Sequence, residues 1–438
     1  MHARPLSASL SLSLSPPLPE SNQDMPVSYA FNSSAEILAS RSQPLIRYLT
    51  VASNTSAEPQ QEFGNVSGWQ PASAAPSYAG NFGAICYFAG RDIAAALGSA
   101  STPVGLLHSA LGGTPIQAWT PPEAAGQCPN VTNNYKESDL WNAMLAPLTT
   151  GPLQAHAALW VHAEQNVGQA AYYECALPAL VSSWRQELGQ AGLGFFATQL
   201  HPWQAAPGPA VPLMRAAQLT LQLPLTGVVP QIDGGDPRAP NGNIHPRGKQ
   251  LPGARLAAAF LAVLQQQLQA GGMQLQPSSG SAPGPGSGPA QPPLWRAPRF
   301  SSSAAVASPP AGSVAVQVQL ADVGAGGLRW QPPTTAATSN SSRCPTELGI
   351  PAELCAWFGI QLLAPALPAV NGTWLNATVS LQGSSSSLLL SAQLPAGVSS
   401  SQARPLATSN GDGPWAVVNV YDVSSGLPLF PWTEPVLG

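Results

Sequence analysis

The feature that most constrains what this chain can fold into is a repeated change of hydrophobic period along its first two-thirds. Short β-branched and aromatic runs alternate with Ala- and Leu-rich segments whose apolar residues recur every three or four positions. The run 45–52, Leu-Ile-Arg-Tyr-Leu-Thr-Val-Ala, predicts a strand. Residues 84–97 carry Ile85, Phe88, Ile93 and Leu97 near helical spacing. Further strands are expected at 104–108, ahead of Gly112 and Gly113, at 157–161 and at 195–200. Helices are expected at 175–188 and 255–268, the second with Leu256, Phe260, Val263 and Leu264 on one side. Such alternation builds a mostly parallel sheet with helices on both faces. Ligands of these sheets sit beyond the carboxyl ends of the strands.

The pattern changes at both ends of this region. Residues 276–293 are Pro, Ser, Gly, Ala and Gln with no period, the composition of a linker, expected over 273–294. Beyond them, 313–320 (Ser-Val-Ala-Val-Gln-Val-Gln-Leu) alternates strictly, as do shorter runs near Thr378 and Leu388. Alternation means strands with one buried face, so 295–438 is expected to form an antiparallel β-sandwich. At the other end, Leu and Ser alternate up to Pro16, Pro17 and Pro19, and a buried parallel strand is not expected there. Residues 1–20 therefore read as an atypical leader or a mis-assigned start, with the N-terminal strand and domain truncated.

Composition narrows the function classes. Only 8% of the 438 residues are charged, against about a quarter in an ordinary soluble domain. Sixteen Lys and Arg against 20 Asp and Glu leave a net charge of −4 with no basic cluster, which argues against nucleic acid as a partner. No window approaches the roughly 18 uninterrupted apolar residues of a membrane span. Asn-X-Ser/Thr occurs at Asn32, Asn54, Asn65, Asn130, Asn340, Asn371 and Asn376, a glycan-acceptor pattern with meaning only in a secretory protein. The five cysteines fit one or two disulfides and a free thiol. Cys344 and Cys355 are the expected local bridge, Cys86 is the expected buried thiol, and no spacing suggests zinc.

Several long blocks resemble one family. The stretch 103–119, Pro-Val-Gly-Leu-Leu-His-Ser-Ala-Leu-Gly-Gly-Thr-Pro-Ile-Gln-Ala-Trp, is similar to a Pro-Ile-Gly-Leu-Ile-x-Ser-x-x-Gly-Gly-Thr-Pro-Ile-Glu-Ala-Trp block of the sialate O-acetylesterases, within the SGNH-hydrolase superfamily. Residues 140–144, 175–185, 243–250 and 426–431 resemble further blocks of that family. The resemblance implies a three-layer α/β/α, flavodoxin-like SGNH hydrolase domain over 21–272, ahead of the linker and the sandwich. It implies an O-acetylated sugar or glycan as substrate, no metal or organic cofactor, and a secreted, lysosomal or vacuolar location.

It also implies a site. Residues 19–27, Pro-Glu-Ser-Asn-Gln-Asp-Met-Pro-Val, stand where the family has Gly-Gln-Ser-Asn-Met, so Ser21 aligns with the nucleophile. His245 aligns with the general base. The oxyanion and substrate-binding positions map to the Ser21 N–H, to Gly112 or Gly113, and to Glu164 and the Asn166 amide in 160–166 (Trp-Val-His-Ala-Glu-Gln-Asn). There Ala163 replaces a family glycine, an exchange that is tolerated unless positive φ is required. Asp233 and Asp236 are the acids that could orient His245; a Ser–His dyad without an acid is the other possibility. Pro19, Glu20 and Gln23 depart from the family block. They are the ground for a second reading, a catalytically impaired homologue acting as a glycan-binding or structural secreted glycoprotein.

Overall fold

The computed structural model describes residues 8–10, 22–73, 76–98, 102–129, 136–204, 208–270, 296–330, 346–348, 355–356, 358–381, 386–411, 415–416 and 420–436. The fold is mixed α/β with several sheets. It divides into two compact units: Met1–Leu200 with Ala217–Val229 and Ala239–Trp295, and His201–Ala216 with Pro230–Arg238 and Arg296–Gly438. Two short stretches inside 201–238 thus group with the second unit rather than the first. The expected linker lies outside the described residues.

The first unit is built on seven strands: β1 (Ala8–Leu10), β2 (Ile46–Thr50), β3 (Gln70–Pro71), β4 (Val104–His108), β5 (Ala157–Trp160), β6 (Gly194–Thr198) and β7 (Thr226–Val229). Their order in the sheet is β3-β2-β4-β1-β5-β6-β7, parallel throughout except where β3 pairs antiparallel with β2. The expected loss of the first strand is therefore corrected. Ala8, Ser9 and Leu10 pair with Val104, Gly105 and Leu106, and Leu10 also pairs with Ala157. The prolines that argued against a strand, Pro16, Pro17 and Pro19, all follow it, so none has to donate to the ladder.

Among the described residues up to 270 the α-helices are α1 (Ser33–Ala39), α2 (Pro76–Asn81), α3 (Ala84–Ala96), α4 (Asp139–Met144), α5 (Ala170–Glu187), α6 (Ala210–Leu219) and α7 (Gln250–Ala270). Strand residues alternate between two apolar clusters, as the period of two requires. Leu159 and Phe196 join Ile85, Phe88 and Ile93 of α3 and Leu256 and Phe260 of α7. Their neighbours Trp160 and Phe195 pack instead with Trp184 of α5 and with Trp119. Burying a phenylalanine such as Phe195 or Phe196 stabilises by roughly 1.5–3 kcal/mol. The Trp160–Trp184 and Trp119–Trp160 pairs meet edge-on at 5.7 and 6.4 Å, the favoured aromatic geometry.

Cys128 and Cys175 form a disulfide across 47 positions, which fastens α5 to the segment before α4. Closing a loop of that length contributes about 4 kcal/mol in the chain-entropy picture. Cys86 is buried and outside any disulfide, as expected. Cys355 is disulfide-bonded, and Cys344 lies outside the described residues.

The second unit is strand-rich: β8 (Arg299–Ala305), β9 (Ser313–Ala321), β10 (Leu328–Trp330), β11 (Cys355–Ala356), β12 (Gly359–Leu363), β13 (Trp374–Asn376), β14 (Thr378–Leu381), β15 (Ser387–Gln393), β16 (Arg404–Asn410), β17 (Trp415–Ala416), β18 (Val420–Asp422) and β19 (Trp432–Pro435). Its two four-stranded sheets, β14-β15-β9-β8 and β13-β12-β16-β19, are antiparallel throughout. The alternation at 313–320 works as expected: Val314, Val316, Val318 and Leu320 are buried in one cluster with Ile360, Leu362, Leu388 and Leu390.

Candidate active site

Connections leaving the carboxyl ends of β4 and β5, together with residues 22–23 and 244–245, enclose a cavity of about 220 Å³ in the first unit. Leu111, Gly112, Gly113 and Thr114 come from the turn after β4, and Val161, His162, Glu164 and Gln165 from the turn after β5. His245 enters from the loop before α7, and Asn22 from the turn that follows position 21. Ser21 itself lies outside the described residues.

His245 is held by its own loop. Its backbone N–H donates to Gly242 O at 3.0 Å, closing a turn in which Gly242 takes φ +83°. Its Nδ1 meets the Asn241 carbonyl oxygen at 2.9 Å. A carbonyl oxygen only accepts, so Nδ1 carries a hydrogen, and in the neutral ring the lone pair then lies on Nε2. Asp233 and Asp236, the acids expected to orient His245, are both buried, and Asp236 accepts the Arg238 N–H at 3.1 Å.

The glycine turn is fixed from two sides. The Asp24 carboxyl accepts the Gly112 backbone N–H, and burial pushes that carboxyl up to about 8, so it keeps its proton at neutral pH. This takes Gly112 out of the expected oxyanion role and leaves the Gly113 N–H as the turn's candidate donor. Gly113 takes φ +67°, which a side chain rarely adopts. On the other side, the Thr114 carbonyl oxygen meets His162 Nε2 at 2.8 Å. By the same logic His162 carries its hydrogen on Nε2. Its Nδ1 then accepts from the Tyr173 hydroxyl at 3.2 Å, and that hydroxyl oxygen accepts from Trp160 Nε1 at 3.0 Å. Burial pushes His162 down to about 4, so this wall of the cavity is neutral at pH 7. Trp119 borders the cavity but is only 3% exposed, its indole N–H given to Thr114 Oγ1, which makes it packing rather than a sugar platform.

Glu164 and Asn166 share one short turn but differ in direction. Glu164 faces the cavity, where its Oε1 accepts from Asn22 Nδ2 at 2.7 Å. Burial raises its carboxyl. Hydrogen bonds from its own backbone and from Asn22, then the charges of Lys249 and His245, pull it back. Asn166 points inward and is fully buried. Its Oδ1 accepts the Ile116 N–H at 2.9 Å, and its Nδ2 donates to Gln117 Oε1 at 3.1 Å and Gln169 Oε1 at 2.8 Å. Both amide hydrogens are committed, so the expectation that Asn166 donates to an oxyanion is corrected. The condition set for Ala163 is met in the unfavourable sense: this position takes φ +115°, a positive value that favours glycine, so alanine is held there under strain.

Sequence reasoning missed Asp24, His162 and the Asn22 amide as parts of this site. Asn22 and Asp24 stand within three positions of Ser21, and His162 beside Glu164 in the matched block; that proximity was the available signal.

Comparison with known proteins gives a family. The model of the family carbohydrate esterase, sialic acid-specific acetylesterase, matches residues 39–262, half of the chain. The sialate O-acetylesterases of Pongo abelii and Homo sapiens are each 28% identical over 268 residues, 54% of this chain and 50% of theirs. The chain thus spans about half the length of the curated relatives it matches. A solved carbohydrate acetylesterase from Xanthomonas citri shares the fold, with a TM-score of 0.68 at 22% identity over 98% of this chain and 80% of that one.

Proposed function

The chain belongs to the carbohydrate esterases described as sialic acid-specific acetylesterases, and from that premise we propose that it is a serine-dependent O-acetylesterase of sugars. The observation that carries the reading is His245, which borders the cavity with Nδ1 satisfied by Asn241 and Nε2 left to accept a proton. Ser21 Oγ attacks the acetyl carbonyl carbon while His245 Nε2 takes its proton. The oxygen that becomes negative accepts from the Gly113 N–H. The sugar oxygen leaves with the proton from His245, and the acetyl group stays on Ser21. Water, losing a proton to His245, then attacks that ester; acetate departs and the proton returns to Ser21. The Glu164 carboxylate supplies negative charge that favours the imidazolium formed in both steps.

The parallel sheet with its cavity at the carboxyl ends supports a three-layer SGNH hydrolase for the first unit. The two antiparallel sheets with a shared core support a β-sandwich for the second. A secretory location, outside or in a lysosome-like compartment, is supported by the Cys128–Cys175 disulfide and by exposure of Asn32, Asn54, Asn65, Asn371 and Asn376, all in Asn-X-Ser/Thr. Asn130 and Asn340 lie outside the described residues. No helix among the described residues is long and apolar enough to cross a membrane.

The test is turnover of p-nitrophenyl acetate and acetate release from O-acetylated sialic acid and O-acetylated neutral sugars. Ser21→Ala and His245→Ala are each expected to lower kcat at least about 1,000-fold. A folded wild type that binds a glycan and hydrolyses none of these esters would replace this reading with that of a non-catalytic glycan-binding homologue.

A further inference from the structure

The Asn22 side chain is tied on three sides. Its Oδ1 accepts from Lys249 Nζ at 2.7 Å, and its Nδ2 donates to Glu164 Oε1 and to the Ile244 carbonyl oxygen, each at 2.7 Å. Asn22 is 5% exposed and Lys249 not at all. The three partners differ in what they need: an ammonium only donates, whereas a carboxylate and a backbone carbonyl only accept. A primary amide meets all of them, with an acceptor on one side and two hydrogens on the other. An ionised carboxylate in its place would turn acceptors toward two acceptors. An apolar side chain would remove an acceptor from a buried ammonium and a donor from a carboxylate, both costly.

What this clasp joins is set by the sequence. Asn22 directly follows Ser21, and Ile244 directly precedes His245. One hydrogen bond therefore links the residue after the nucleophile to the residue before the base. Lys249, at the foot of α7, holds the other end of the same amide. We propose that Asn22 is a positioning residue that sets the register between Ser21 and His245, with Lys249 as its buried anchor. The proposal rests on the esterase reading and deepens it. A displacement near 1 Å between reacting groups costs about 100-fold in rate. The clasp thus acts on kcat more than on substrate binding.

Asn22→Asp keeps the size of the side chain and removes both donated hydrogens. Lys249→Gln keeps a donor for Asn22 and removes the charge. With p-nitrophenyl acetate, and rates expressed per folded protein as measured by thermal unfolding, Asn22→Asp is expected to lower kcat by about 100-fold while KM stays within about threefold. Lys249→Gln is expected to show the same split with a smaller fall. A merely structural role would reduce the folded fraction and leave kcat per folded molecule unchanged. A folded Asn22→Asp with kcat within about threefold of wild type overturns the proposal. Should that variant not fold, Lys249→Gln decides by the same criterion. A folded wild type inert on every acetyl ester overturns the esterase reading and this proposal with it; an active wild type with unaffected variants overturns the proposal alone.

Discussion

Ala163 sits at φ +115° and ψ −11°, where a Cβ crowds the backbone, and it is fully buried. A residue held there costs about 1–3 kcal/mol and persists only when its surroundings require it. They do here: the Ala163 carbonyl accepts the Asn166 N–H at 3.0 Å, and the turn so closed aims Glu164 at the cavity while Asn166 goes to the interior. Ala163→Gly is expected to stabilise by about 1 kcal/mol after the greater freedom of glycine in the unfolded chain is discounted. That gain reads as a rise in Tm of about 2–4 °C. A lower Tm would sink the assignment of strain. The sequence shows that a glycine position of the matched block holds alanine, and it shows which residues cluster around His245. It does not show φ, nor which way a side chain leaves the backbone, and for that reason Asn166 was legible as a neighbour of the site but not as a buried structural amide.

At the scale of elements, α3 and α7 approach closely where Gly253 faces α3. A Cβ at position 253 would lie 2.6 Å from Phe88 Cβ, 3.1 Å from Ala89 N and 3.2 Å from Ile85 O. Two of these are backbone atoms, so no rotamer change relieves the clash and the helices must separate. Gly253→Ala is expected to cost about 1–3 kcal/mol in chemical denaturation, despite the better helix propensity of alanine. The cost should appear in activity as well, since α7 begins directly after Lys249. An unchanged denaturation midpoint would mean that the crossing is looser than this geometry requires. Periodicity made both helices legible, along with β2, β4, β5 and β6, because each buries one face against a large apolar partner. Their ends were less legible: α5 begins at Ala170 and α7 at Gln250, five residues before their expected starts. Nothing in Ala-Ala-Tyr-Tyr breaks a helix, and Pro252 falls in a first turn, where its missing N–H has no helical partner to lose. β1 was missed for a different reason. Three residues of Ala-Ser-Leu carry almost no pattern, and the sheet at that position, between β4 and β5, supplies the pairing that selects them.

For the molecule as a whole, the scarcity of charge changes what pH does to stability. With 8% of residues charged, a few buried groups dominate the difference in bound protons between folded and unfolded chains. Burial pushes His108 down to about 3 and His162 down to about 4, from an ordinary 6.5. Below pH 6.5 the unfolded chain gains protons at both histidines that the folded chain refuses, so stability falls as the medium is acidified. Above pH 6.5 these histidines are neutral in both states and drop out. Asp24 works in the opposite sense, with its carboxyl raised from 3.8 to about 8. Between pH 6.5 and 8 the folded chain keeps this proton and the unfolded chain has lost it, so stability falls as pH rises. One proton over that interval amounts to about 2 kcal/mol. Asp24→Asn keeps an oxygen to accept the Gly112 N–H and cannot ionise. It is expected to remove most of the loss of Tm between pH 6.5 and 8 while leaving the acid limb, which belongs to His108 and His162, in place. The measurement is thermal unfolding of both proteins at pH 5, 6.5 and 8. A variant that loses Tm as steeply as wild type between the two higher values would show that Asp24 is already ionised at neutral pH, and that the glycine turn is held by a charge rather than by a neutral acid.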